Sequence, residues 1–242
     1  MLYSSGMDQI ELDQSRPLPV AGAEAASRFI ARVFLWMGAG LVVSAVTAAY
    51  VGTNDALYEQ LWLEGGPLRW VVLFAPIGII LLMGFLMQRL SLLSMAALYL
   101  AFTFTQGLSL AFVFQAYSGA EIAQAFGAAS VAFVGAGVVG YVTKRDLSRL
   151  RMVLLVGLIG LIAGSVINIF WASSTLYWVV TYGGVVLFTL LTAYDVWWVK
   201  KIGSEVEEGA AKQKLALWGA VSLYLDFVNL MLFFLRIFGG RS

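Results

Sequence analysis

The chain has 242 residues, of which 61% are hydrophobic and only 12% charged, where a soluble domain carries about 45–50% and about 25%. Fifteen Lys and Arg against fourteen Asp and Glu leave a net charge of +1, which excludes a global field that would gather nucleic acid. Cysteine and histidine are both absent, which excludes disulfides, thiolate and imidazole catalysis and the commonest zinc sites.

In chain order, residues 1–28 form a polar, mildly acidic tail (Asp8, Glu11, Asp13, Glu24) broken by Pro17 and Pro19, without the basic start or small-residue cleavage site of a signal peptide. Residues 29–242 read as one transmembrane domain. A helix needs about 20 apolar residues to cross roughly 30 Å of hydrocarbon. Seven stretches qualify: 33–52, 70–88, 92–116, 122–143, 152–172, 176–199 and 215–238. Each is continuously apolar, whereas a β-barrel would show alternating segments of about ten residues. The connections are too short to hold another domain. The expected fold is an all-α integral membrane protein, a bundle of seven transmembrane helices. Pro76 is expected to kink the second span. Gly135, Gly137 and Gly140 in the fourth, with Gly160 and Gly164 in the fifth, offer small faces for close packing.

Basic loops resist translocation. With the tail inside, the inner segments collect Arg16, Arg28, Arg32, Arg89, Lys144, Arg145, Arg149, Arg151, Lys200, Lys201, Lys212 and Lys214, twelve of the fifteen basic residues. Only Arg69, Arg236 and Arg241 fall outside. The N-terminus is therefore expected in the cytoplasm and, after an odd number of spans, the C-terminus outside. The inner basic loops also suit contact with anionic membrane lipid. Glu205, Glu207 and Glu208 read as a solvated loop.

Three charged residues fall within the spans, Asp195, Asp226 and Arg236, and Arg89 sits at the inner edge of the second. A carboxylate near the bilayer centre costs about 2.5–3.5 kcal/mol on insertion scales, so such groups usually face the bundle interior and serve a function. On the seventh span Ser222, Asp226, Asn229, Phe233 and Arg236 share one helical stripe; on the sixth, Thr181, Gly184, Phe188, Thr192 and Asp195 do. The two stripes are expected to pair across an interface or a wet cavity, with Ser222, Thr192 and Asn229 as path-lining groups. Gln106 and Asn168 either line a path or bond to a neighbouring helix. Two aspartates held together in low dielectric tend to share one proton. Arg89 would instead hold an ionised carboxylate, a latch that protonation releases. Calcium could compete for Asp195 and Asp226, but it takes six to eight oxygens, most of which backbone and water would supply. The plainer alternative is that both aspartates are neutral, hydrogen-bonded packing groups.

The stretches Leu191-Thr192-Ala193-Tyr194-Asp195, Ser222-Leu223-Tyr224-Leu225-Asp226-Phe227-Val228-Asn229-Leu230 and Leu235-Arg236-Ile237-Phe238-Gly239 together resemble the Bax inhibitor-1 family, also called the transmembrane Bax inhibitor motif family. Tyr141-Val142-Thr143-Lys144-Arg145-Asp146-Leu147-Ser148 resembles its bacterial branch. The resemblance implies a seven-helix bundle with the last helix central, in a bacterial inner membrane, acting as a pH-sensitive calcium leak. It carries over Asp195 and Asp226 as the titrating pair and, through Met87-Gln88-Arg89-Leu90, Arg89 as the latching arginine. Calcium and protons are then what passes or binds, with no resident cofactor. One departure is that Val196, Trp197 and Trp198 follow Asp195 where many bacterial members have Thr-Gln; the tryptophans suit an interfacial belt.

Some relatives are described as regulators of a membrane protease, so a non-conducting regulator of other membrane proteins is the main rival. An intramembrane aspartyl protease would also place one aspartate on each of two helices, and Tyr194-Asp195 fits its first motif. Its second, Gly-x-Gly-Asp, is replaced here by Leu223-Tyr224-Leu225-Asp226, and its Pro-Ala-Leu motif is absent, so no enzyme is expected. A retinal protein needs a lysine within the last span, and Lys212 and Lys214 stand only at its entrance. Proton-coupled secondary transport would favour an inverted repeat, and none is evident.

Overall fold

Every regular element of the computed structural model is helical among the residues the structure describes, which are 20–239, with side chains from 24 onward. Most of the expected tail, with Asp8, Glu11, Asp13, Arg16 and both its prolines, and Arg241 at the other end, lie outside the described residues. Seven helices are long and apolar enough to cross a membrane. They are α1 (Val20–Gly52), α2 (Leu68–Leu86), α3 (Leu92–Leu110, extended by Phe112–Ala116), α4 (Gly119–Val142), α5 (Leu150–Trp171), α6 (Ser174–Glu205) and α7 (Ala210–Gly239). This is a multi-pass all-α membrane bundle.

The expected boundary between tail and domain, at 28/29, falls inside α1, which starts well before residue 33. Hydropathy marks where hydrocarbon begins, but the helix continues past it through an alanine-rich turn. Glu24 and Arg28 pair across that turn at 3.7 Å, and Ala26 and Phe29 are buried. For the same reason α6 runs on past residue 199 and α7 starts before 215.

The short connections end helices through side-chain caps. Ser91 accepts from Ser94 N–H at 3.1 Å at the start of α3. Ser118 and Glu121 form a reciprocal capping box on α4, and Ser173 accepts from Leu176 N–H at the start of α6. Between α5 and α6 the chain reverses through Ala172 in the left-handed region (φ 46°), and Asn168 Oδ1 accepts from Ser173 N–H at 3.0 Å. Asn168 therefore fastens this turn.

α2 continues through Pro76 without a break. A helical proline cannot donate to the carbonyl four residues back, here that of Val72, and a freed carbonyl in hydrocarbon needs another donor. Ser109 of α3 provides it, its hydroxyl donating to Val72 O at 2.8 Å.

α7 packs against α1, α3, α4 and α6, and α6 packs against α1, α4, α5 and α7. Half of the most apolar stretch of α7 is buried, against 6% of that of α5, which leans chiefly on α6. Close approach is concentrated at particular glycines. At Gly140 of α4 a Cβ would collide with the backbone of Ala193 in α6, and at Gly184 of α6 with the ring of Phe233 in α7. Gly135 and Gly160 have nothing within 4 Å of that position, so only part of each small-residue face is used for packing.

At the end of the bundle where most Lys and Arg collect, a charge cluster joins α1, α6 and α7. Lys212 is buried (1% exposed), donates to Gly203 O at 3.0 Å and pairs with Glu208 at 3.0 Å. Arg32 of α1 approaches the same carboxylate at 3.8 Å. Glu208 is thus a connector between helices rather than only a solvated loop residue. The hydrogen bond from Lys212, then the charges of Lys212, Arg32 and Arg28, hold its carboxyl below the usual value of 4.5. A depressed carboxyl contributes stability that is complete above its ordinary value and lost only as pH falls through the lower folded one. Glu208→Gln is therefore expected to lower thermal stability by the same modest amount throughout about pH 5 to 8. Melting curves across that range check it, and a loss that varied with pH there would contradict it.

Candidate functional site

α6 carries Thr192 and Asp195 three residues apart, and α7 carries Ser222 and Asp226 four apart, so each pair lies on one helical face. Packing of α6 on α7 brings the faces together. The Asp195 carboxyl comes to lie beside the Asp226 carboxyl and the Ser222 hydroxyl, and Asp226 beside Thr192. Asp226 is 4% exposed and Thr192 fully buried, while Asp195 and Ser222 are half-buried.

The donors around this pair are few. Thr192 spends its proton on Phe188 O at 2.8 Å along its own helix, so toward Asp226 its oxygen can only accept. Asp226 Oδ2 is buried with no hydrogen-bond partner. Lone carboxylate oxygens in such a setting are costly, which marks this as a place where packing stability is not the sole requirement.

Of the other expected residues, Asn229 sits one turn beyond Asp226, half-buried, its amide donating to Leu225 O at 2.8 Å within α7. Arg236 lies farther along, its guanidinium 5.3 Å from the Phe233 ring centre and 5.9 Å from that of Tyr177. Arg89 is not brought to the pair. It follows the end of α2, is exposed, and takes part in none of the ion pairs among the described residues. The segment before it is pinned by Lys214 Nζ, which donates to Met87 O at 3.1 Å. Lys214 lies twelve residues before Asp226, about 18 Å of helical rise and too far for an arginine side chain to cover. The latch expected from the sequence is not formed in this conformation.

Two further groups were not singled out from sequence. Tyr224, two residues before Asp226, and Ser44 of α1 share a hydrogen bond of 2.6 Å, and Ser44 donates to Thr103 O of α3 at 2.7 Å. These bonds tie α1, α3 and α7 together two residues along α7 from Asp226. Tyr224 stood inside a recognisable motif, but nothing in the sequence distinguishes Ser44 from any serine that bonds along its own helix. Beside Ser44 lies an apolar cavity of about 130 Å³ between α1, α3, α4 and α7, walled by Phe126, Phe227 and Met231.

Among the described residues no group of three or more acidic or other metal-ligating side chains comes together. The pair and its hydroxyls fall short of the six to eight oxygens of a calcium shell. They could offer a passing ion two carboxyls, with water and backbone supplying the remainder.

Comparison with known proteins gives the chain's relatives. The family model described as Inhibitor of apoptosis-promoting Bax1 matches residues 26–242. The inner membrane protein YbhL of Escherichia coli K12 is 34% identical over 237 residues, covering 97% of this chain and 100% of its own length. A protein of Deinococcus radiodurans is 32% identical over 236 residues, 98% of each chain. One from Borreliella burgdorferi is 32% identical over 216 residues, 89% of this chain and 93% of its own.

Proposed function

The chain belongs to the Bax inhibitor-1 family, and on that premise we propose that it is a pH-sensitive calcium leak of a bacterial inner membrane, gated by the Asp195–Asp226 pair. The observation that carries the reading is the meeting of two carboxyls from α6 and α7 with almost no donors around them, one oxygen of Asp226 being buried and bare. One proton held between the carboxyls satisfies that contact. Its loss sets two negative charges against each other across the α6–α7 interface, which favours separation of the helices and entry of water and a cation. The apolar cavity walled by Phe126 and by Phe227, the residue after Asp226, acts as a dry barrier in the closed arrangement. Arg89, exposed at the end of α2 and away from the pair, takes no part in this arrangement. The basic end of the bundle faces the cytoplasm and the C-terminus lies outside. The dyad works by titration and ion contact, not by catalysis.

The test is calcium entry into liposomes containing the purified protein, from about pH 5 to 8, for wild type, Asp195→Asn and Asp226→Asn. A gate controlled by one proton changes its populations by up to about tenfold per pH unit. The expected result is a pH-dependent flux in the wild type whose dependence is flattened or displaced in both variants. No flux above that of empty liposomes at any pH would overturn the leak and leave the regulator of other membrane proteins as the standing reading.

A further inference from the structure

An apolar groove of about 260 Å³ runs between α1 and α4, with α6 as its floor. Phe34, Val134, Val138 and Tyr141 form its outer walls and are 37%, 62%, 56% and 47% exposed, so it opens sideways where lipid would lie. The floor is Val196, buried at 2%. Gly137 keeps the groove open: a Cβ there would have only Val196 within 4 Å, at 3.7 Å, so a side chain at 137 would occupy the groove itself.

The chemistry at the basic end of this groove differs from that of an ordinary lipid-facing surface. Tyr141 closes it, and Lys200 of α6 donates to Tyr141 O at 2.7 Å while its ammonium lies 5.0 Å from the tyrosine ring centre. An ammonium has three donors, so Lys200 retains capacity for a further acceptor. It also offsets the negative C-terminal end of α4, which would otherwise repel an anion. Lys144 and Arg145, exposed, follow within four residues of Tyr141 and join none of the ion pairs among the described residues. The acid nearest in sequence, Asp146, is engaged elsewhere. Its carboxylate accepts from Ser148 N–H at 2.7 Å, and its carboxyl is held below the usual range by the bonds from Ser148 and then by the charges of Lys201 and Arg149. The larger groove between α5 and α6, about 580 Å³, has no basic residue in its lining. Shape alone would favour that larger groove; charge favours the one beside Lys200.

We infer that the α1–α4 groove is a binding site for one anionic phospholipid, with an acyl chain along Phe34, Gly137 and Val196 and the phosphate among Lys200, Lys144 and Arg145. The chain then lies against the residue that follows Asp195, so an occupied groove braces the turn of α6 that carries the aspartate. The binding itself does not depend on whether the protein conducts.

Native mass spectrometry of the delipidated full-length protein, titrated with phosphatidylglycerol or with phosphatidylcholine of the same chains, tests the inference. Each basic residue near an anionic group strengthens binding roughly fivefold. One phosphatidylglycerol should therefore be retained in preference to phosphatidylcholine by at least about tenfold, and most of that preference should vanish in the exposed double variant Lys144→Gln, Arg145→Gln. Gly137→Leu should weaken both lipids by filling the groove; the surface double variant decides the matter if Gly137→Leu does not fold. Equal retention of the two lipids, an unchanged preference in the double variant, or displacement of the lipid by free glycerol phosphate at equal concentration would each overturn the assignment.

Discussion

Replacing Gly140 by valine is expected to disable the protein at the level of folding, with a loss of about 3 kcal/mol or more, the upper range for forcing extra atoms into a packed interior. A Cβ at this position would stand 2.9 Å from the carbonyl carbon of Ala193 and closer still to its oxygen. Unlike a side chain, that backbone has no rotamer to adopt, so α4 and α6 must separate. Ala193 lies two residues before Asp195, so the separation also misplaces the carboxyl pair. Even Gly140→Ala should be clearly destabilising. Gly160→Ala is the matched control. It has open space around the new methyl group, and helix propensity favours alanine there by about 0.5–1 kcal/mol. Unfolding of the purified variants in mixed micelles measures all three, and a Gly140→Ala protein as stable as Gly160→Ala would refute the close α4–α6 contact.

Asp226→Leu should do the opposite to stability and still abolish the proposed response to pH. On insertion scales leucine at the centre of a span is worth about −0.3 to −0.6 kcal/mol and aspartate about +2.5 to +3.5 kcal/mol. Part of that difference is recovered in the wild type through the contacts with Asp195 and Thr192, leaving an expected net gain of about 1–3 kcal/mol. The bare Oδ2 is what makes a gain the expected sign, because removing an unsatisfied buried group lifts its desolvation cost. Asp195, half-buried, keeps its neighbour Ser222. A higher melting temperature together with a flux that no longer follows pH would identify Asp226 as a residue kept for function at the expense of stability. A lower one would mean that the aspartates are hydrogen-bonded packing groups, the plainer of the two readings open from the sequence.

How far the sequence could be read depended on how local each signal was. Spans such as 152–172 were legible because an unbroken apolar run has no other use. Asp195 and Asp226 were legible because a charge in such a run stands out and helical periodicity assigns it a face. The ends of α1, α6 and α7 were not, because Arg28, Arg32, Lys200, Lys201, Lys212 and Lys214 lower hydropathy without lowering helix propensity. Arg89 illustrates a different limit. Its depth could be guessed from the end of its span, but its distance from the aspartates depends on where α2 meets α7, marked by the bond between Lys214 and Met87, 127 residues apart in the chain. Ser44 and Ser109 found their partners through packing of separate helices, which leaves no mark on the residues nearby.

The bond between Ser44 and Tyr224 joins residues 180 positions apart, and this separation has a consequence for how the protein is made. At roughly 5–20 residues per second, the ribosome delivers the serine about 10 to 40 s before its tyrosine. During that interval α1, and then α3, α4 and α6 in turn, enter the bilayer with the faces that will cover α7 still open to lipid or to the insertion machinery. A nascent chain lacking its last thirty residues is therefore an incomplete assembly and not a slightly shortened protein. It would present an uncovered interior to whatever membrane protease surveys newly inserted proteins, and lesions near the 3′ end of the gene should reduce the amount of protein as severely as lesions at its start.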